Sequence, residues 1–442
     1  MYQDRCLSAL HRFLIMVRIF TPDLVRCFLL TLELVVRLFC LIVGVVGMRA
    51  QGKQVEVAGE KAPSVASFCK RAEAGERLTV VFFGCSLTWG ANATDPNRTS
   101  WRALVGKRME VAYPKAHFSF VDAAIGGTDS QLGVFRVDRD VVAYKPDLVF
   151  VDFTVNDGIY DANDNKSCSY EGIVRRLLTR LPDCVLVQVI LPVRKTMTED
   201  APEILRRRDE HIRLGERYNL TRTDVLQRCR ELYAKGMLRP DEMWPKAIGD
   251  VIHPHDIGYG IYADIVWNDV FANPSDRVPT LAPATLFAPK YEKVCRRRLF
   301  DLPMPSGWRK DYNKMRAGTF DFLCSRWQDG VANAESNAAP FKLRFRGEEL
   351  FLFGESTVKG GCCEIIVDGR SRGVQDLSEF ARHFDPSAWF TWQVCDGLDP
   401  MREHELEIVP RFSNGGCEVR IESVCVAGRE AAAVRATECE RL

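Results

Sequence analysis

The chain is short of several things that would place it quickly. It has no excess of either charge: 60 Lys and Arg face 59 Asp and Glu, a formal net charge of +1. That removes the electrostatic argument for a nucleic-acid binder, which usually shows a basic patch. The triplets Arg206-Arg207-Arg208 and Arg296-Arg297-Arg298 are isolated and read as solvated faces. There are 16 cysteines but no Cys-x-x-Cys pair, so the spacing of a structural zinc site is missing. Cys85, Cys184, Cys363 and Cys425 fall in apolar runs and read as small buried residues. A Cys417–Cys425 bridge depends on a backbone approach that sequence does not reveal. Four Asn-x-Ser/Thr sequons, at Asn92, Asn97, Asn165 and Asn219, carry no further weight. A clean apolar stretch of membrane-spanning length is also missing, because Glu33 and Arg37 interrupt the longest N-terminal run.

What is present at that end is basic residues, Arg12, Arg18, Arg26 and Arg37, ahead of the uncharged run 38–47, with small residues at Gly47 and Ala50. That order reads as a secretory signal over residues 1–50 and predicts a secreted, periplasmic or cell-envelope protein. The alternatives are an uncleaved membrane anchor or a cytosolic helix, and Met16 is a second candidate start. Residues 51–76 read as a linker running into a first helix near Val65.

The 442-residue chain is long enough for two or three domains, and 46% hydrophobic residues are ample for a core. Over 77–275 apolar runs at 78–83, 118–123, 148–154 and 185–191, with a weaker one at 220–223, alternate with helical patterns. Those patterns lie at 100–113, 170–180, 203–218, 225–235 and 258–271. Continuous rather than alternating apolar character predicts strands covered on both faces, hence a doubly wound parallel α/β sheet. Residues 276–340, with Pro279, Pro283, Pro289, Pro303 and Pro305, read as a Pro-rich linker. Short strands and turn glycines over 341–430 predict a β-sandwich, and 431–442 a tail. The break predicts that a chain ending near Pro279 folds and keeps its chemistry on small substrates while losing efficiency on polymers, unless residues 283–340 pack on the first domain and are needed for its stability.

Gly84-Cys85-Ser86-Leu87-Thr88-Trp89-Gly90 follows the first apolar run. It places a serine where a strand gives way to a helix, at the carboxyl edge where such sheets bind ligands. Far downstream, Asp250-Val251-Ile252-His253-Pro254 sets a carboxylate three residues before a histidine. That spacing lets Asp250 orient one imidazole nitrogen while the other faces a nucleophile. Ile125-Gly126-Gly127-Thr128 and Thr154-Val155-Asn156-Asp157 each follow a strand and offer oxyanion donors, a backbone N–H and a side-chain amide. His255 is the competing histidine. His211, in a charged helix, reads as exposed, and Asp157 as a support for its turn. Trp89, Arg98 and Trp101 either line a substrate pocket or pack the first helix.

These four blocks, in this order, resemble the SGNH/GDSL hydrolase superfamily over roughly 75–275. The resemblance implies a flavodoxin-like sheet and a triad of Ser86, Asp250 and His253. It also implies an oxyanion hole of Ser86, Gly127 (with Gly126 adjacent) and Asn156. It implies serine-ester hydrolysis without metal or cofactor. The family's Asp before the nucleophile is Cys85 here, and its second-block Asn is Asp122. The β-sandwich resembles the jelly-roll modules found beside carbohydrate enzymes. Together these predict an esterase that O-deacetylates a carbohydrate. A lipase or thioesterase, or an inactive carbohydrate-binding surface protein, are the alternatives. The expected partner is an acylated carbohydrate or other ester, with no nucleic acid and no membrane beyond a possible N-terminal anchor.

Overall fold

The computed structural model describes residues 62–159, 165–198, 201–312, 330–383, 387–413, 415–430 and 433–436. The expected signal or anchor, and the first part of the expected linker, lie outside the described residues.

Five parallel strands form the first sheet: β1 (Arg77–Gly84), β2 (His117–Ala124), β3 (Leu148–Asp152), β4 (Val185–Ile190) and β5 (Thr221–Asp224). Their order is β2-β1-β3-β4-β5, the flavodoxin-like doubly wound topology. The inner strands β1, β3 and β4 are covered on both faces, which is why they are mostly apolar, whereas the edge strands β2 and β5 carry polar residues. Val80, Phe82 and Phe150 point into one layer, with the helices Trp101–Ala112, Val225–Ala234 and Asp256–Trp267. Val81, Phe83, Val149 and Val151 point into the other, with Ser130–Asp140 and Asn165–Arg180. The order reverses at β1, which pairs β2 on one side and β3 on the other. Loops leaving the carboxyl ends of these three strands therefore converge on one crevice.

The C-terminal half holds two antiparallel sheets. One is ordered β13 (Ser387–Cys395), β10 (Glu349–Thr357), β15 (Val419–Gly428), β8 (Val331–Ala334) and β7 (Trp308–Asp311), with β6 (Lys293–Arg298) also on β15; the other is ordered β12 (Arg370–Asp376), β11 (Cys362–Val367), β14 (His404–Arg411), β9 (Phe341–Arg346) and β16 (Ala433–Ala436). The expected Pro-rich linker is in part sandwich: β6 (Lys293–Arg298), β7 (Trp308–Asp311) and β8 (Val331–Ala334) lie within 276–340. The prolines fall between these strands rather than in them, so they exclude helix without excluding strand. Likewise β16 (Ala433–Ala436), at the start of the expected tail, pairs with β9 (Phe341–Arg346).

The basic triplets are corrected too. Arg207 is fully buried and hydrogen-bonds Ser167 and Glu210, while Arg296 pairs with the buried Glu422. Arg207 is buried and Arg296 half-buried because a partner carboxylate comes from the same helix turn or the adjacent strand, which a charge count does not register, while Arg206 and Arg297 stay exposed as expected.

The sandwich is not an appendage. In β10 (Glu349–Thr357), Leu350 and Leu352 enter the sandwich core, whereas Phe351 and Phe353 enter the core shared with the parallel sheet. In β15 (Val419–Gly428), Val424 and Val426 face inward and Cys425 and Ala427 face the parallel-sheet half. A period of two with both faces buried produces the continuous runs Leu-Phe-Leu-Phe and Val-Cys-Val-Ala. Phe135 packs its ring at a tilt, centroids 5.3 Å from Phe351 and 5.9 Å from Phe353. Gln131 donates to the Tyr291 hydroxyl at 3.0 Å, and Tyr291 donates to Glu349 at 2.8 Å. The strap between the halves is held by Glu171, which accepts the backbone N–H of Leu286 at 2.6 Å and Phe287 at 2.8 Å.

The expectation that a chain ending near Pro279 stands alone is therefore replaced. Such a variant uncovers Phe135 and leaves the buried Glu171 without those two donors. Burying a large aromatic ring is worth several kcal/mol, about 3–5 in Phe→Ala series. The expected outcome is loss of the cooperative thermal transition or aggregation of the truncated chain. A monomeric truncated chain that melts cooperatively at the full-length Tm would contradict this.

Candidate active site

β1 ends at Gly84, and Ser86 opens the short helix Ser86–Trp89. Gly84 is required by close approach: a Cβ there would lie 2.7 Å from the Asp152 carbonyl oxygen and 2.8 Å from Thr88 Oγ1. Gly90 ends the helix at φ 100°, a left-handed conformation that glycine adopts without strain. Ser86 is thus held in the first turn of a helix, where backbone N–H groups have no intrahelical acceptor.

His253 lies in the loop before the helix Asp256–Trp267. Its Nε2 is 2.8 Å from Ser86 Oγ, and its Nδ1 is 2.8 Å from Asp250 Oδ2. Asp250 Oδ1 accepts the backbone N–H of Ile252 at 2.7 Å and of His253 at 3.0 Å. Burial opposes the Asp250 charge, but the His253 ring and these two N–H groups hold its carboxyl well below the usual range. His255 is not at the serine. It precedes the helix, and its backbone N–H donates to the Met243 carbonyl at 2.8 Å.

Gly127, after β2, has φ 72°. Asn156, after β3, is buried in the helix Thr154–Ile159 and donates from its amide to the Thr128 carbonyl at 2.9 Å. One amide N–H is used to orient the side chain, and the amide carries a second. Ser86, Gly127 and Asn156 thereby follow three adjacent strands of the sheet. Asp157 faces away into the core. It accepts the Ser130 backbone N–H at 2.8 Å and sits 3.4 Å from His211 Nε2.

His211 itself corrects the expectation of exposure. It is fully buried, stacked on Tyr170 with ring centroids 3.7 Å apart, with Nδ1 2.9 Å from Thr154 Oγ1. Burial lowers its pKa. The signal was in the spacing: Ile204, Arg207, His211 and Leu214 form one buried stripe of the helix Pro202–Arg217. Trp101 is fully buried among Phe82 and Phe150, which settles it as core.

Two further groups escaped the sequence reading. Asn92 donates to Asp250 Oδ2 at 2.9 Å; its sequence signal was only a glycosylation sequon. Asp152, the last residue of β3, lies beneath the nucleophile turn. Its Oδ2 accepts from Thr88 Oγ1 at 2.7 Å and from the Cys85 thiol at 3.8 Å. Burial pushes the Asp152 carboxyl up to about 7, against the two donors. A carboxyl thus still meets the residue before the nucleophile, supplied by β3.

The parallel sheet and its strand order give residues 77–275 an SGNH-like fold. Residues 82–261 match the model of the GDSL-like Lipase/Acylhydrolase family. No curated protein matches the sequence. The whole chain is similar to a two-domain esterase, CEX, described as active on acetylated mannans and co-crystallised with mannopentaose. Identity is 23%, covering 84% of this chain and 98% of that one, with a TM-score of 0.66. A second CEX crystal structure gives 23% identity, 83% and 95% coverage, and a TM-score of 0.64. Axe2, an acetylxylan esterase from Geobacillus stearothermophilus, gives 21% identity over 43% of this chain and 93% of that one, with a TM-score of 0.37. At these identities the CEX likeness is one of fold, and it spans both halves of the chain.

The Asp152 environment makes a pH prediction. A carboxyl raised on folding binds its proton in the folded protein first. Stability therefore falls as pH rises from about 4, the ordinary Asp value, towards about 7, and levels off above it. Asp152→Asn removes a charge that is buried at high pH and absent at low pH. Its Tm relative to wild type should be more favourable at about pH 8 than at about pH 5. A Tm difference independent of pH would count against a buried, titrating Asp152.

Proposed function

We propose that the protein is a serine esterase that removes acyl groups, acetyl first among them, from a carbohydrate through an acyl-enzyme. The observation that carries this reading is the continuous relay of Ser86 Oγ, the His253 ring and Asp250, with 2.8 Å at each step. His253 Nε2 takes the Ser86 proton as Oγ attacks the ester carbonyl. Asp250 holds the ring in the tautomer with its proton on Nδ1 and stabilises the imidazolium that forms. The oxyanion is received by the backbone N–H groups of Ser86 and Gly127 and the Asn156 amide. His253 then hands the proton to the leaving hydroxyl and activates water to cleave the acyl-enzyme. Each of these steps is carried by the protein's own groups.

The substrate class is supported by a cleft of about 450 Å³ that both halves of the chain line. Gly127, Asp129 and Lys166 form the hydrolase side; Gln375, Phe380, Trp389, Phe390 and Thr391 come from the sandwich. Lys166 is held there by Asp129 and Gln131. Aromatic faces beside amide, hydroxyl and charged groups suit a sugar ring, whose faces are apolar and whose rim is polar. A wall for a long acyl chain would be more uniformly apolar. The fold shared with an esterase active on acetylated mannans agrees with this choice. The sandwich then serves as a wall of the substrate site, beyond the polymer anchoring expected of an accessory module. An N-terminal export signal suits a polymeric substrate outside the cell.

Ser86→Ala is expected to abolish release of p-nitrophenol from p-nitrophenyl acetate and to lose labelling by a fluorophosphonate probe. Persistent labelling of the variant at another serine would overturn the assignment. Asn156→Ala is expected to lower kcat by about 10²–10³, the usual effect of losing one oxyanion donor, with KM little changed. A fall of less than about threefold would place the amide outside the oxyanion hole. On acetylated glycans, Trp389→Ala is expected to raise KM more than on p-nitrophenyl acetate. Equal effects on both substrates would remove the sandwich from the glycan site.

A further inference from the structure

The catalytic carboxylate is held by more than its histidine. Asp250 has about four acceptor positions, two on each oxygen. Oδ1 takes the backbone N–H groups of Ile252 and His253. Oδ2 takes the His253 ring and the amide of Asn92, at 2.8 and 2.9 Å. The Asn92 amide nitrogen is also 3.4 Å from the His253 carbonyl oxygen. Asn92 therefore touches both the carboxylate and the backbone of the base.

Its own backbone is unusual. Asn92 has φ 67°, in the left-handed region. Few side chains sit there without strain; Asn and Asp do so more readily than most, and glycine does so freely. Of these, only Asn carries an N–H donor on its side chain. Asp would set a second carboxylate against Asp250, and Gly would supply no donor. Backbone shape and hydrogen bonding thus select the same residue.

Asn92 also belongs to the segment that leaves the nucleophile helix. The segment is tied to the base loop at further points. Thr94 donates its N–H at 2.8 Å and its hydroxyl at 2.6 Å to Asp256, and Thr99 donates its hydroxyl to Asp256 at 2.8 Å. The Tyr259 hydroxyl donates to the Ala91 carbonyl at 2.7 Å. These contacts surround Asn92 on the chain, but Asn92 alone among them reaches Asp250.

We propose that Asn92 is a positioning residue for the triad: its amide fixes the Asp250 carboxylate and, through it, the tautomer and aim of His253, joining the nucleophile loop to the base loop. The inference rests on the serine-esterase reading above. The Asn92 amide shares the charge of Asp250 with the imidazole. Without it, more of that charge is left to stabilise imidazolium, so the protonated ring is favoured.

The test compares Asn92→Gly and Asn92→Asp with wild type in the full chain, using p-nitrophenyl acetate across pH, alongside thermal unfolding. Asn92→Gly keeps the backbone conformation and deletes the donor. Its kcat is expected to fall about 10–100-fold, the scale of a hydrogen bond to a charged group. KM should stay within about twofold, and the acid limb of kcat/KM should move to higher pH. Asn92→Asp should lose more activity than Asn92→Gly near neutrality, because it brings like charges together. An Asn92→Gly enzyme with kcat within about twofold of wild type and an unmoved acid limb would overturn the proposal. So would a lower kcat accompanied by a lower Tm and an unmoved limb, which is the mark of a merely structural role. A wild type that does not hydrolyse the ester would instead overturn the esterase reading, and this inference with it.

Discussion

The hydrogen bond between Ser86 Oγ and His253 Nε2 joins residues 167 positions apart, and its length of 2.8 Å depends on two loops fixed independently. The first is fixed by the sheet. β1 lies between β2 and β3, so the turn after Gly84 has no freedom to slide. The second is fixed by Asp250, whose carboxylate gathers two backbone N–H groups and the ring of His253 into one compact turn. Neither loop needs to search for the other once the sheet and the helix Asp256–Trp267 have packed. Positioning of this kind is what turns a weak nucleophile into a usable one.

The same sheet sets the relation between the two halves of the chain. Its second face is closed partly by its own helices and partly by the outer faces of β10 and β15, through Phe351, Phe353, Cys425 and Ala427. A sandwich mounted by its own strands on the hydrolase core cannot swing freely. It brings Trp389 and Phe390 to the cleft that also contains Gly127. The cleft therefore has a wall from each half, with Gly127 on one side and Trp389 and Phe390 on the other.

How much of this was legible in the sequence varies with the physics of each element. The parallel sheet was, because strands buried on both faces leave uninterrupted apolar runs such as Val80–Phe83 and Leu148–Val151. The approach of His253 to Ser86 was, because a strand-to-helix serine and an Asp-x-x-His turn are local patterns. β6 was hidden because Lys293–Arg298 looks like a charge run, although its Val294 and Cys295 pack into the two cores. His211 was misread because its charged neighbours point to solvent while its own face is turned into the sheet. Asn92 and Asp152 lay beyond reach. Their roles depend on contacts across 158 and 64–67 residues of chain, and no local spacing encodes those.

The central claim is that Ser86 carries the acyl group between the two chemical steps. The direct measurement is peptide mapping by mass spectrometry after rapid acid quenching of the enzyme with an acetyl ester in excess. The account predicts one acetyl group, on the peptide containing Ser86, appearing within the first turnover and absent from Ser86→Ala. An acetyl group on another residue, or continued turnover by Ser86→Ala with no adduct, would contradict it.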